Sequence, residues 1–176
     1  MSGKSFIDVL AQRRSIRSYT KDPIDREQLQ RILSAVIANV PTAGNLQAYR
    51  IVVVTDPRVK HALQKAAHNQ DQVGEAAADL VFLADETKEA KYGRRGRELY
   101  SVQDATNACM IASLAAAEQG LGTCWVGAFD EAKVSEVINA KDGLRPVAIL
   151  TLGHPAERGK SHKRQTVDEI VSFETL

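Results

Sequence analysis

The chain has 176 residues, 44% of them hydrophobic, which is enough for one compact domain to build a core without disulfides or metal ions. Its 23 basic and 22 acidic residues leave a formal net charge of +1, so no overall field favours nucleic acid or an anionic membrane as a partner. Cys109 and Cys124, without CxxC spacing, exclude a disulfide framework and a four-cysteine zinc site, and no stretch approaches the ~18 consecutive apolar residues of a membrane span.

The opening, MSGKSFIDVLAQRRS, lacks an apolar run followed by small residues, so a cytoplasmic protein is expected. From Ser5 to Arg13 the residues Phe6, Val9 and Leu10 have helical spacing, and from Asp25 to Val40 a second helix carries Leu29, Ile32, Leu33, Val36 and Ile37 on one face, with Asp25 as its N-cap. The turn formers Pro41-Thr42-Ala43-Gly44-Asn45 lead into a β-branched run, Ile51 to Thr55, with the composition of a buried strand. Pro57 begins a third helix through about Ala67, Asp79 to Ala84 is a second strand, and Asp85 to Arg97 is polar and expected to be mobile. The Ala-rich segment from Leu99 to Gln119 predicts a long helix ending at Gly120, with small residues that would let another helix approach closely. Strands are expected at Thr123 to Val126 and at Val147 to Leu152, separated by a short helix that Asp130 caps. A turn-rich tail (Gly153, Pro155, Gly159) then reaches a basic patch, Lys160 to Arg164, and a last apolar stretch, Val167 to Phe173. Mixed helices and strands without a regular βαβ repeat define an α+β or α/β class with one central sheet, and no repeat or linker divides residues 1–176 into more than one domain.

Arg13-Arg14-Ser15-Ile16-Arg17 gathers three guanidiniums and a hydroxyl at the end of the first helix. Such forks suit phosphate oxygens, although cations at a helix C-terminus also simply complement its dipole. If this cluster and Lys160 to Arg164 meet in space, they form an anion site; spacing along the chain does not decide it. Asn45, Gln47, Asn69 and Gln70 place amides in loops beside strands, where they either cap turns or match the donor and acceptor edge of a flavin or nucleobase. Gly120-Leu121-Gly122-Thr123 follows a helix and precedes a strand, the reverse of a dinucleotide fingerprint. The four histidines lack metal-ligand spacing, no GxSxG elbow is present, and Cys124 beside Trp125 reads as core; no metal and no side-chain nucleophile are expected.

Five segments together resemble the nitroreductase family of FMN-dependent oxidoreductases: RRSIRSY (Arg13 to Tyr19), PTAGNLQAYR (Pro41 to Arg50), HNQ (His68 to Gln70), GLGTCWVGAF (Gly120 to Phe129) and KRQTVDEIV (Lys163 to Val171). The resemblance implies an α+β fold, a central mostly antiparallel sheet flanked by helices, and an interlocked homodimer with two FMN sites at its interface. It also implies that Arg13 with one or both of Lys163 and Arg164 grips the phosphate, that Arg14 and Ser15 lie close by, and that Arg17 lies towards the pyrimidine end. Pro41, Thr42, Ala43 and Asn45 would come from the partner chain, Gln47 is a further cofactor-binding candidate, and Asn69 would bond the pyrimidine edge. Trp125, Val126 and Gly127 would cover one ring face with their backbone, the Gly127 N–H aimed at flavin N5. Thr42, Ala48-Tyr49 and Gln165-Thr166 depart from the commoner forms of these motifs.

The activity so implied is transfer of hydride from NADH or NADPH through FMN to an electron-poor small-molecule acceptor such as a nitroaromatic or quinone, with ping-pong kinetics and no protein acid or base. The alternatives are reduction of an enone or halogenated aromatic by the same cofactor, or a flavin-binding protein without a dedicated acceptor. Arg94-Arg95-Gly96-Arg97 is either a solvated surface or a reader of the NADPH 2′-phosphate.

Overall fold

The structure is a computed structural model that describes residues 5–176, the side chains of residues 89 and 90 excepted. The first four residues of the opening stretch lie outside it. In chain order it contains α1 (Phe6–Gln12), α2 (Arg26–Asn39), a 3-10 turn at Ala43–Asn45, β1 (Tyr49–Val54), α3 (Pro57–Ala66), α4 (Asp71–Glu75) and β2 (Ala78–Asp85). A run of short turns including α5 (Gly93–Arg95) follows, and then α6 (Ser101–Glu118), β3 (Gly122–Val126), α7 (Glu131–Val137), β4 (Leu144–Gly153) and α8 (Val167–Ile170). Helix starts follow local chemistry. The Ser5 hydroxyl accepts the Asp8 N–H while the Asp8 carboxylate accepts the Ser5 N–H, and the Asp56 and Asp130 carboxylates accept the Arg58 and Lys133 N–H groups in the first turns of α3 and α7.

The four strands form one sheet in the order β1-β2-β4-β3, every neighbouring pair antiparallel. All eight positions of β2 are buried, because helices cover both faces of the sheet. Leu80, Phe82 and Ala84 share a core with Ile32 and Val36 of α2 and the alanines of α6, whereas Val81 and Leu83 pack with Leu63 of α3, Val73 of α4 and Val134 of α7. The two-residue alternation of the strand thus sends apolar groups to both sides, and each large side chain fully buried contributes roughly 1.5–3 kcal/mol.

The structure adds to the expected elements. After Asp85, the last residue of β2, the polar stretch to Arg97 is built from short turns: a 3-10 turn at Lys88–Tyr92, α5 and a π turn at Gly96–Tyr100 run directly into α6. The short helix α4 was not foreseen. The close approach expected of the alanines of α6 is made by α2 and by the sheet: Ala105, Ala108, Ala112 and Ala116 lie completely buried in the core with β2, β4 and α2, leaving Gln103, Asn107 and Met110 outward. Among the described residues no helix is long and apolar enough to cross a membrane.

Candidate functional site

The segment Arg13 to Tyr19 is laid along the outer edge of β3, where the Ile16 N–H donates to the Thr123 carbonyl at 2.9 Å and Ser15 pairs with Thr123 in a parallel bridge. Ile16 and Tyr19 point inward and are buried. The Tyr19 hydroxyl donates to the Ile16 carbonyl at 2.7 Å and is hydrogen-bonded to Thr151 Oγ1 on β4, and burial pushes its pKa well above that of an ordinary phenol. Gly122 and Gly153, paired across β3 and β4, form the floor of this seat. A Cβ on Gly122 would lie 2.9 Å from Ile16 Cγ1, and one on Gly153 would lie 2.7 Å from Tyr19 Cδ1. The second glycine of the GLGT motif, Gly122, therefore serves the close seating of Ile16.

The tail returns alongside the same segment. Thr20 N–H donates to the His154 carbonyl, Ala156 N–H to the Ser18 carbonyl, and Arg17 N–H to Glu157 Oε1 at 2.6 Å. Gly159, at φ +67°, passes so close that a Cβ there would lie 2.7 Å from Arg14 Cβ. These contacts bring the two basic clusters together around one cavity of about 510 Å³, lined by Arg13, Arg14, Ser15, Arg17, Lys160 and Arg164 among others. His162 also lines it and Lys163 does not. The charge run at Lys160 to Arg164 was legible as half of an anion site, but the participation of His162 was not. Arg14 has a double position: its Nη1 donates to the Ala11 and Arg13 carbonyls at 2.6 and 3.0 Å, the helix-capping role, while it borders the cavity.

Asn69 lies near the far end of β3. His68 and Asn69 are left-handed at φ +57° and +59°, and Gln70 Nε2 donates to the Ala67 and Ala128 carbonyls, tying this turn to the residues after β3. The Gln70 amide is thus a turn cap, while Asn69 is exposed beside it. The Val126 side chain is buried in the core, leaving its backbone for any ligand; the Trp125 indole is 36% exposed and Gly127 is exposed. Since Thr123 directs its carbonyl to the outer edge of β3, the two-residue repeat of an antiparallel strand directs the backbone of Trp125 the same way.

The loop from Pro41 to Gln47 lies elsewhere. Asp104, in the first turn of α6, accepts the Ala43 N–H on Oδ1 at 3.0 Å and the Ala48 N–H on Oδ2 at 3.1 Å. Thr42 Oγ1 accepts the Gln47 N–H, the Asn107 side chain donates to the Pro41 carbonyl, and Lys88 Nζ donates to the Gln47 carbonyl. The opposite end of α6, at Ala117, adjoins Arg13 and Arg14 in a smaller cleft. Thirteen residues separate Asp104 from Ala117, about 20 Å of helix, so one chain does not bring Pro41, Thr42, Ala43, Asn45 or Gln47 to its own basic cavity. The Arg94 to Arg97 run borders this loop through Lys88 and Tyr92, with Arg94 paired to Glu98 at 2.8 Å and Arg95 stacked on Tyr100.

This arrangement of an antiparallel sheet with helices on both faces is shared with known proteins. A profile of the nitroreductase family matches residues 10–94 and 68–154, and the chain belongs to that family. The NADH dehydrogenase of Thermus thermophilus is 31% identical over 188 residues, 91% of each chain. The FMN reductase (NADPH) of Bacillus subtilis is 31% identical over 85% of this chain and 66% of its own length. Among solved structures, nitroreductase A from Vibrio parahaemolyticus matches with a TM-score of 0.90 at 30% identity, over 99% of this chain and 77% of that one. The NADPH:FMN oxidoreductase of Vibrio harveyi, complexed with NAD+, matches at 0.89 and 28%, over 97% and 77%. The α+β, nitroreductase-like fold expected from the motifs is the fold found.

Proposed function

We propose that the chain is an FMN-dependent oxidoreductase that takes hydride from NADH or NADPH and passes it to an electron-poor acceptor such as a nitroaromatic or quinone. The observation that carries this reading is the convergence of two basic clusters from opposite ends of a near-neutral chain on one cavity. Its donor set fits a phosphate monoester. Arg13, Lys160 and Arg164 supply charge-assisted hydrogen bonds, and the Ser15 hydroxyl supplies another donor at the same wall. Arg17, further along the edge of β3, would stabilise negative charge at the pyrimidine end, with Asn69 bonding its polar edge. One step past the strand, the Gly127 N–H would face the reacting edge of the ring. When bound, FMN supplies reversible hydride acceptance at N5, so the chain's task is to bind, orient and polarise without an acid or base of its own.

The working form is proposed to be a homodimer. The Pro41 to Gln47 loop and the basic cavity lie at opposite ends of α6, and two copies with antiparallel α6 helices would set the loop of one against the cavity of the other. The exposed apolar residues favour such a partner: Phe6, Ile7 and Leu10 on α1, Ile37 on α2, Met110 on α6 and Phe173 in the tail.

The test is spectroscopic. Protein purified with added FMN and desalted is expected to keep flavin absorption, to bleach with NADH or NADPH in the absence of oxygen, and to regain colour on addition of a nitroaromatic or quinone. Double-reciprocal initial-rate plots should be parallel. Colourless protein would overturn the reading; a yellow protein that neither donor bleaches would be a flavin carrier, and recovery with enones or halogenated aromatics alone would move the acceptor class.

A further inference from the structure

We infer that Asp104 is a positioning residue that acts across the protomer boundary, holding the Pro41 to Gln47 loop in the shape it presents to the flavin site of the neighbouring copy. The inference rests on the shared-site reading above. Asp104 is 2% exposed and, among the described residues, no cation pairs with it. Its two oxygens instead clamp the backbone N–H groups at either end of the loop, Ala43 and Ala48. Between them the chain passes through three left-handed residues, Gly44 at φ +53°, Asn45 at +55° and Gln47 at +51°. Two of these carry side chains, and such backbone persists only where its surroundings hold it.

The side-chain chemistry is specific. Two backbone donors pointing at one group need an acceptor at both positions, which a carboxylate provides and an amide does not, since its NH2 would face one of the N–H groups. The arrangement has a cost. Asp104 sits next to Ala105 and one turn before Ala108, both wholly buried, and a carboxylate without a countercharge is an expensive neighbour for that core. A small apolar residue would serve the packing of α6 better, so what the carboxylate supplies is the shape of the loop that carries Thr42 and Asn45.

Asp104→Asn keeps the volume and removes one acceptor. In the full-length dimer it is expected to weaken FMN at least tenfold by titration, while the melting temperature of the FMN-free protein holds or rises. Mixed dimers of an Asp104→Asn chain and an Arg13→Ala chain, separated by distinct tags, then decide where it acts. If Asp104 serves the neighbour, one site in the mixed dimer combines both defects and the other has neither, so half the flavin binds with wild-type affinity. Two equally weakened sites would overturn action across the boundary, and Asp104→Asn homodimers that bind FMN like the wild type would overturn the positioning role altogether. If Asp104→Asn does not fold, Asp104→Glu, which keeps the charge and displaces both acceptors by one methylene, enters the same comparison. Wild-type protein that takes up no FMN would instead sink the functional reading on which the inference rests.

Discussion

Arg13 and Arg164 approach the basic cavity from opposite ends of the chain, so their contributions are expected to be separable. Removing either guanidinium takes away a charge-assisted hydrogen bond, and Arg13→Ala or Arg164→Ala should each weaken FMN by about 1.5–3 kcal/mol in a calorimetric titration. Lys163→Ala, outside the lining, should change it little; equal losses at Lys163 and Arg164 would show that the tail sits differently when the cofactor is bound. Asp79 poses a different question. It is 0% exposed on β2, neither oxygen has a hydrogen-bond partner, and burial raises its pKa well above the ordinary aspartate range against a smaller opposing effect of the Lys60 charge. Above about pH 4 the native state therefore holds a proton that the unfolded chain has lost, and stability falls with rising pH by about 1.4 kcal/mol per unit until the native group ionises. Asp79→Asn should melt higher than the wild type at pH 8 and together with it near pH 4; a constant difference across that range would refute the assignment. Neither Asp79 nor Asp104 stood out in the sequence, because an isolated aspartate is usually solvated and only the fold reveals that it is buried. The arginines were legible because clustered charge is visible in one dimension.

At the level of elements, strands and long helices were readable where the pattern was strong. The run Ile51 to Thr55 marks β1, which in the structure begins two residues earlier at Tyr49 and ends at Val54. The helix α4, five residues long, is too short to develop a periodic face. Composition announced the alanines of α6 and the close approach they allow to another helix, which α2 makes; that they also pack against the sheet was not legible. The turns before α6 also revise the reading of the Arg94 to Arg97 run: Arg94 is occupied by Glu98 and Arg95 by Tyr100, which among the described residues leaves Arg97 as the arginine of the run available to a ligand. If the run reads the NADPH 2′-phosphate, Arg97→Ala alone should lower kcat/KM for NADPH several-fold, leave NADH unaffected, and lose its effect at high salt. Equal use of both donors by the wild type, or a preference that survives the substitution, would return the run to the role of solvated surface.

For the molecule as a whole, light scattering at low micromolar concentration should give twice the 19.2 kDa chain mass. Met110→Glu, on the outward face of α6, is expected to lower that mass and FMN affinity together, and a monomer that retains tight FMN binding would overturn the shared site. The meeting of the chain's two basic ends was posed by the sequence as a condition and met only by the fold, through the antiparallel return of residues 154–157 along Ser18 to Thr20. The strand order has a bearing on synthesis as well. β4 lies between β2 and β3 in space but leaves the ribosome after both, so a nascent chain that has emerged only as far as Gly143 holds a β1-β2 pair whose β2 edge, later covered by β4, is open, and a β3 with no neighbour in the sheet. Until the last strand arrives, that edge is a template for pairing with another nascent chain, and most of the sheet must then close in one late, non-local event. During translation the protein is thus most exposed to misassembly after most of it has been made.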